Sequence, residues 1–213
     1  RCAEHAVEDI VNRNLRFVGE ASERIKEDPL RIMRFIRFLV TKDLNNKNDI
    51  EQLKPYIPLV KKLSMERMRE EFSKIITADD ANVAIELLEE TGILEYLIPE
   101  WTKTRKFNQR NPHHNLTLDE HIKKATASIE GDIELRLAAL LHDIGKPETY
   151  TVKNGIGHFY GHEQESAFMA EKILTRMKYT NKIIKNVTLL IANHLNNSKN
   201  SNKRYCKKLI DKI

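Results

Sequence analysis

Apolar residues return every three or four positions along almost the whole chain. That spacing turns one stripe of a helix towards a core, and it predicts an all-α fold. Leu30, Met33, Phe35, Ile36 and Leu39 define a helix over 29–40, with Pro29 well placed in its first turn. A weaker helix over 49–62 is interrupted by Pro55 and Pro58. Ser64 opens a helix through Ile76 that carries Met65, Met68, Phe72, Ile75 and Ile76 on one face. Asp79-Asp80 caps a helix from Ala81 to Glu90, which Thr91-Gly92 stops. Leu94, Leu97, Ile98 and Pro99 close this block.

Residues 101–115 are rich in basic and amide side chains and read as a linker or an ordered loop. Helices are then expected over 117–129, 132–143, 162–178 and 181–194. Between them, segments 149–152 and 156–160 flank Asn154-Gly155, the signal of a small β-hairpin. After His194 the chain is rich in Asn, Lys and Ser and turns briefly helical from about Lys203. The expected division lies near residue 105, giving regions 1–105 and 106–213.

The 213 residues hold 40% hydrophobic and 31% charged side chains, enough apolar content for a buried core. No apolar run reaches the roughly 20 residues of a membrane helix, and no membrane association is expected. The first residues are polar and lack the apolar centre of a signal peptide. The chain starts without Met, as an excerpt of a longer protein would. Cys2 and Cys206 stand at opposite ends with no pair spacing for zinc or a disulfide framework, so a reducing, cytoplasmic setting is expected. The net charge of +5 is compatible with a polyanionic partner, and six arginines (13, 16, 24, 31, 34 and 37) crowd the start.

The sharpest chemical signal is His142-Asp143, within Leu140-Leu141-His142-Asp143-Ile144-Gly145-Lys146-Pro147. An imidazole and a carboxylate at the end of an apolar helix can hold a divalent metal if further ligands converge. His121, His162 and His194 fall at the ends or starts of other expected helices, and helix ends on neighbouring bundle helices can meet in one pocket. Gly145 would permit a sharp exit after Asp143. Lys146 could meet a phosphate and is the candidate catalytic residue. The hairpin before His162 could act as a lid. A lone histidine on a helix is more often structural, and His5, His113 and His158 are read so. Mixed imidazole and carboxylate ligands suit Mn, Ni, Zn or Mg, and an ion held there would polarise a phosphoryl oxygen and acidify water.

A second signal lies earlier. Asp28 and Arg31 sit three residues apart across a helix start, so both side chains can share a face and together match the edge of a base. Arg34 and Arg37 continue the stripe and could hold phosphates. Spacing alone is better met by a helix-start salt bridge beside a solvated basic stripe.

Two resemblances bear on these alternatives. The histidines, the His-Asp pair and Gly161-His162-Glu163 resemble the HD superfamily of metal-dependent phosphohydrolases. That resemblance implies His121, His142 and Asp143 as metal ligands, with His162 and His194 serving a second metal or the substrate phosphate. The family's final aspartate has no clear counterpart, since Asp211 follows His194 too closely. The stretch Glu27-Asp28-Pro29-Leu30-Arg31 resembles the Glu-Asp-x-x-Arg neck motif of class II tRNA nucleotidyltransferases (CCA-adding enzymes) and related poly(A) polymerases. Ser64–Ile75 and Leu94–Pro99 resemble later parts of the same neck and body, and an HD domain follows in many bacterial members.

The resemblance implies a helical neck and body followed by an HD-type helical bundle with a small hairpin. It implies CTP and ATP as nucleotides, selected by Asp28 and Arg31 with Glu27 orienting Arg31 and Arg34 nearby, and tRNA or another RNA as partner. It also implies a catalytic head that this sequence lacks: no Gly-Gly phosphate turn, no Asp-x-Asp pair and no Arg-Arg-Asp motif. Such a head would come from a longer chain or a separate polypeptide. A free-standing HD phosphohydrolase acting on phosphomonoesters or 2′,3′-cyclic ends, and an inactive RNA-binding remnant, are the alternatives.

Overall fold

The computed structural model describes residues 6–42, 44, 49–111 and 115–197. Cys2, His5, His113, Cys206, Asp211 and the helix expected from Lys203 lie outside the described residues. By its contacts the chain divides into two compact units, Arg1–Leu97 and Ile98–Ile213. Both are built on helices, and a two-stranded antiparallel hairpin belongs to the second.

The first unit runs α1 (Ala6–Val11), α2 (Ala21–Glu27), α3 (Leu30–Thr41), α4 (Asp49–Leu53), α5 (Ile57–Val60), α6 (Met65–Ile76), α7 (Ala81–Glu90) and α8 (Ile93–Leu97). Helices α1 and α2 carry weaker apolar periodicity and were not expected from the sequence. The helix expected over 49–62 is broken into α4, a 3-10 turn at Lys54–Tyr56 and α5, because Pro55 and Pro58 each remove an N–H donor. Helix α3 packs on α6 and α7, burying Ile32, Met33, Ile36 and Leu39 with Phe72, Ile75 and Ile85. Burial of each such side chain contributes about 1.5–3 kcal/mol. Asp80 caps α7 by accepting from the Val83 N–H at 3.0 Å, and Gly92 ends it at φ 72°, a left-handed position that glycine takes without strain.

A charged seam runs along the α3–α6 contact. Glu71 on α6 is buried, 2.8 Å from Arg37 and 3.9 Å from Arg34, with Lys74 at 3.6 Å. A carboxylate held away from water needs such cations nearby, so the seam sets the rotation of α3 against α6.

The second unit opens with a 3-10 turn at Pro99–Lys103 and continues through α9 (Leu118–Ala127), α10 (Ile133–Leu141), α11 (Lys146–Thr149), β1 (Thr151–Lys153), β2 (Ile156–His158), α12 (His162–Arg176) and α13 (Asn181–Ala192). Thr117 and Glu120 form a reciprocal capping box at α9, and Asp132 caps α10 by accepting from Glu134 and Leu135. The hairpin pairs Thr151 with His158 and Lys153 with Ile156. Asn154 and Gly155 form its turn at φ 53° and 78°, both positive, as a tight hairpin requires. Helices α12 and α13 pack on each other, α10 packs on α9 and α13, and α11 lies on α12.

The segment after the 3-10 turn is a strap packed on this unit, not a free linker. Trp101, Thr104 and Gln109 are buried, the Lys106 N–H donates to Asp119 at 3.0 Å, and the Leu118 N–H donates to the Phe107 carbonyl at 3.0 Å.

Arg176, at the end of α12, holds Glu100 through hydrogen bonds of 2.7 and 3.0 Å. Partial burial opposes ionisation of Glu100, but the Arg176 guanidinium outweighs it and sets the carboxyl below its ordinary value of 4.5. A group whose folded value is lowered stabilises the fold at pH values above the unfolded one and loses that effect as pH falls through the folded value. Glu100→Gln is expected to lower the stability of the second unit by about 0.5–1 kcal/mol at neutral pH. The difference from the parent should shrink as pH falls below 4.5 and on through the folded value. Urea unfolding of the full chain, followed by fluorescence of the single, buried Trp101, measures both.

Candidate metal centre and basic helix start

Helix α10 ends at Leu141, so His142 is its C-cap and Asp143 leaves the helix into the core, 2% exposed. His121 lies on α9, His162 at the first position of α12 and His194 just beyond α13. All four imidazoles turn Nε2 towards one carboxylate. His121 Nε2 and His142 Nε2 lie 3.3 and 3.2 Å from Asp143 Oδ2. His162 Nε2 and His194 Nε2 lie 3.2 and 3.7 Å from Oδ1. Asp143 thus bridges two histidine pairs, and in each pair with Asp143 the ligand atoms lie within 4.8 Å of one another.

The helix geometry also sets the tautomers. Nδ1 of His142 lies 2.8 Å from the Ala139 carbonyl, Nδ1 of His162 lies 2.7 Å from that of Phe159, and Nδ1 of His194 lies 2.7 Å from that of Ile191. Each carbonyl is three residues upstream, and a carbonyl can only accept. Nδ1 therefore donates in all three, so that a ring in its neutral form turns the Nε2 lone pair towards Asp143, the form in which histidine binds a cation.

Burial works against the charge of Asp143, but the surrounding His142, His121 and His162 rings outweigh it and hold the carboxyl well below the usual range. Desolvation pulls His162 down, yet the neighbouring Asp143 carboxylate and its Phe159 partner win and raise it. Burial pushes His194 down, with the neighbouring His142 adding to the effect. Asp143 Oδ1 is buried and has no hydrogen-bond partner. An ionised, buried oxygen without a donor, ringed by imidazole lone pairs, is what a divalent cation would complete, so these residues fit a metal.

The centre opens into a pocket of about 320 Å³, rimmed by Asn111, His158, Tyr160 and Leu195. His158 stacks on Tyr160 at 5.3 Å, on the rim and not in the ligand cluster. Lys146 lines the pocket but is 4% exposed, and its Nζ is already held at 2.8 Å from Asp143 Oδ2. Gly145 has an ordinary φ of −87°, so conformational freedom is not its reason. A Cβ there would meet the Ser166 backbone nitrogen at 2.7 Å, and the Gly145 N–H donates to Ser166 Oγ at 3.0 Å. The glycine is required by close approach of α11 to α12.

In the first unit Asp28 and Arg31, expected on one face, have different partners. Asp28 accepts from the Leu30 N–H at 3.2 Å and, through both oxygens, from Arg67 of α6 at 3.1 Å, with Arg34 at 3.8 Å. Arg31 donates to Glu27 at 2.8 Å and to the Arg24 carbonyl at 2.9 Å. Arg24, Arg31 and Arg34 line a cleft of about 390 Å³ with Phe17, Phe35 and Phe38. Phe17 and Phe35 stack at 5.2 Å, parallel to within 1°. Arg67 and Glu71 were not singled out from the sequence for these contacts. Their partners are distant in the chain, and only the packing of helices reveals them.

Comparison with known proteins follows this division. The family described as probable RNA and SrmB- binding site of polymerase A matches residues 47–104, and the HD domain family matches residues 117–213. The chain is 31% identical over 201 residues to an A-adding tRNA nucleotidyltransferase of Deinococcus radiodurans, covering 88% of this chain and 46% of that protein. It is 29% identical over 201 residues to a multifunctional CCA protein of Actinobacillus pleuropneumoniae, covering 88% and 47%. A CC-adding tRNA nucleotidyltransferase of Thermus thermophilus is 31% identical over 137 residues, 61% of this chain and 31% of that protein. The chain spans about half the length, or less, of these relatives.

Gly145→Ala is expected to cost about 1–3 kcal/mol, because the methyl group meets backbone that cannot yield. Thermal unfolding of the variant, read again at Trp101, checks it. With α3 held to α6 by its charged seam, and with four imidazoles gathered on one buried carboxylate, the sequence matches in both units lead to one conclusion: the chain belongs to the tRNA nucleotidyltransferase family, as its neck and HD part.

Proposed function

We propose that this chain is the nucleotide-selecting and RNA-holding part of a tRNA nucleotidyltransferase, and that its second unit is a divalent-metal phosphohydrolase centre. Similarity running through both units over 201 residues carries the first statement. The convergence of four Nε2 atoms on Asp143 carries the second.

In the neck, Asp28 and Arg31 present an acceptor and a planar donor to the edge of the base, and thereby choose CTP or ATP. Glu27 orients Arg31 at 2.8 Å, and Arg34 balances the charge of Asp28. Arg67 holds both Asp28 oxygens, so base selection depends on α6 as well as on the motif itself. The helices of the first unit, with basic residues of the 101–110 strap, hold the tRNA through its phosphates. Transfer of the nucleotide requires carboxylate-bound metals at the triphosphate, which the catalytic head supplies.

In the second unit, His121, His142, Asp143, His162 and His194 hold the metal. Four imidazoles to one carboxylate favour Mn, Ni or Zn over Mg. When bound, the ion supplies a Lewis acid for a phosphoryl oxygen and a more acidic water. The residues themselves keep Asp143 ionised, present Nε2 lone pairs and shape a pocket sized for a phosphoryl group and part of its leaving group. The substrate is a phosphomonoester or a 2′,3′-cyclic end, and the setting is cytoplasmic.

Four outcomes test this. Asp143→Asn should weaken Mn²⁺ binding by at least about a hundredfold. Chelation of the parent protein should abolish hydrolysis of a 2′,3′-cyclic nucleotide, with Mn²⁺ restoring it. Retained hydrolysis in the chelated, metal-free protein would defeat the metal reading. In a full-length enzyme carrying this neck, Asp28→Ala should lose its choice between CTP and ATP, and Arg67→Ala should blur it by about tenfold. Unchanged nucleotide choice in Asp28→Ala would refute its role.

A further inference from the structure

A buried side chain of the strap before α9, Gln109, reaches the metal centre. Gln109 is 1% exposed. Its amide nitrogen donates to the Leu116 carbonyl at 3.2 Å, and its amide oxygen accepts from Lys146 Nζ at 3.0 Å. The arrangement has one sense only, since an ammonium can only donate and a carbonyl can only accept. Lys146 Nζ also donates to Asp143 Oδ2 at 2.8 Å and lies 5.2 Å over the face of Phe159. A buried ammonium needs each of its protons aimed at an acceptor or a π face, and these three partners surround it.

The far side of Gln109 is equally fixed. The Gly157 N–H donates to the Arg110 carbonyl at 2.7 Å, and Asn111 Nδ2 donates to the Gly157 carbonyl at 3.2 Å. A Cβ at Gly157 would stand 2.1 Å from the Gln109 carbonyl oxygen, so the hairpin clasps the strap backbone directly. The chain of contacts runs from hairpin to strap, from Gln109 to Lys146, and from Lys146 to one oxygen of Asp143. With Oδ2 claimed by the ammonium, the rotation of the carboxylate is set, and Oδ1 is turned, without a donor, towards His162 and His194.

We infer that Gln109 is a positioning residue of the metal centre, acting through Lys146 on the rotation of the Asp143 carboxylate. This rests on reading the cluster as a divalent-metal site. It gives Lys146 a different task from meeting a phosphate: the ammonium fixes the bridging carboxylate.

Two readouts separate the inference from the reading beneath it. The first needs no metal. In the full chain, the Lys146 ammonium should give a protected ¹⁵N–¹H signal, because its protons are buried and bonded. That signal should vanish in Gln109→Met, which keeps the volume and loses the acceptor. It should persist in Gln109→Glu, which keeps the acceptor and loses the donor to Leu116. The second is Mn²⁺ affinity. Gln109→Met should weaken it about tenfold, Gln109→Glu by no more than about threefold, and Gln109→Met should add nothing in a Lys146→Met background. If Gln109→Met does not fold, Gln109→Asn, a methylene too short to reach Lys146, replaces it with the same expectations.

Equal losses in the Met and Glu variants would overturn the inference, because the bond to Leu116 would then matter and the one to Lys146 would not. Full additivity with Lys146→Met would overturn it as well. A parent protein that binds no Mn²⁺ would defeat the metal reading, and the ammonium signal alone would then decide the role of Gln109.

Discussion

The second unit depends on keeping one carboxylate ionised in its interior. Asp143 is almost wholly buried, and burial alone would drive it to the neutral form. It stays charged because four helices end or begin beside it and each delivers an imidazole. The cost of that arrangement is imposed on the rest of the unit. Nδ1 of three of these histidines must find a carbonyl, Gly145 must be small enough for α11 to meet α12, and a lysine must be buried with them. A cation added to the cluster would satisfy the remaining oxygen, so folding and metal binding are expected to reinforce each other.

The first unit solves a different problem, that of holding charged side chains at a helix start without neutralising them. Asp28 and Arg31 lie three residues apart in the chain, yet each is held by its own partners: Asp28 by Arg67, and Arg31 by Glu27 and the Arg24 carbonyl. The buried Glu71 fixes α6 against α3, and Arg67, one turn earlier on α6, is thereby brought to Asp28.

Much of this was legible in the sequence because it depends on local chemistry. The periodicity of α3, α6, α7, α12 and α13 shows in any window of a dozen residues. So do the Asp80 and Thr117 caps and the Asn154-Gly155 turn. The histidine cluster was legible for a related reason: helix boundaries fix where helix ends fall, and His142, His162 and His194 sit at those boundaries. What escaped is what only packing creates. Arg67 carries no local mark that ties it to Asp28, and Gln109 sits in a polar stretch that reads as a linker. Gly145 is a glycine for the sake of Ser166, 21 residues away. Helices α1 and α2 are short, with too few apolar residues to show a period.

The treatment of Lys146 shows how the same residue changes meaning between the two descriptions. In the sequence, a lysine directly after a glycine and three residues beyond His-Asp suggests a free cation at the mouth of a phosphate site. A free cation needs solvent access and a mobile stem, whereas Lys146 has its ammonium fixed against Asp143, Gln109 and Phe159. Releasing it to a phosphate would leave a buried carboxylate oxygen and a buried amide oxygen without donors, each costing on the order of 1–3 kcal/mol. A phosphate in the pocket would have to repay both losses from one contact, while a cation bound to the opposite oxygen of Asp143 asks for neither. The ammonium therefore serves the centre best where it stands, and the strap that carries Gln109 becomes a wall of the site and not a connection to it.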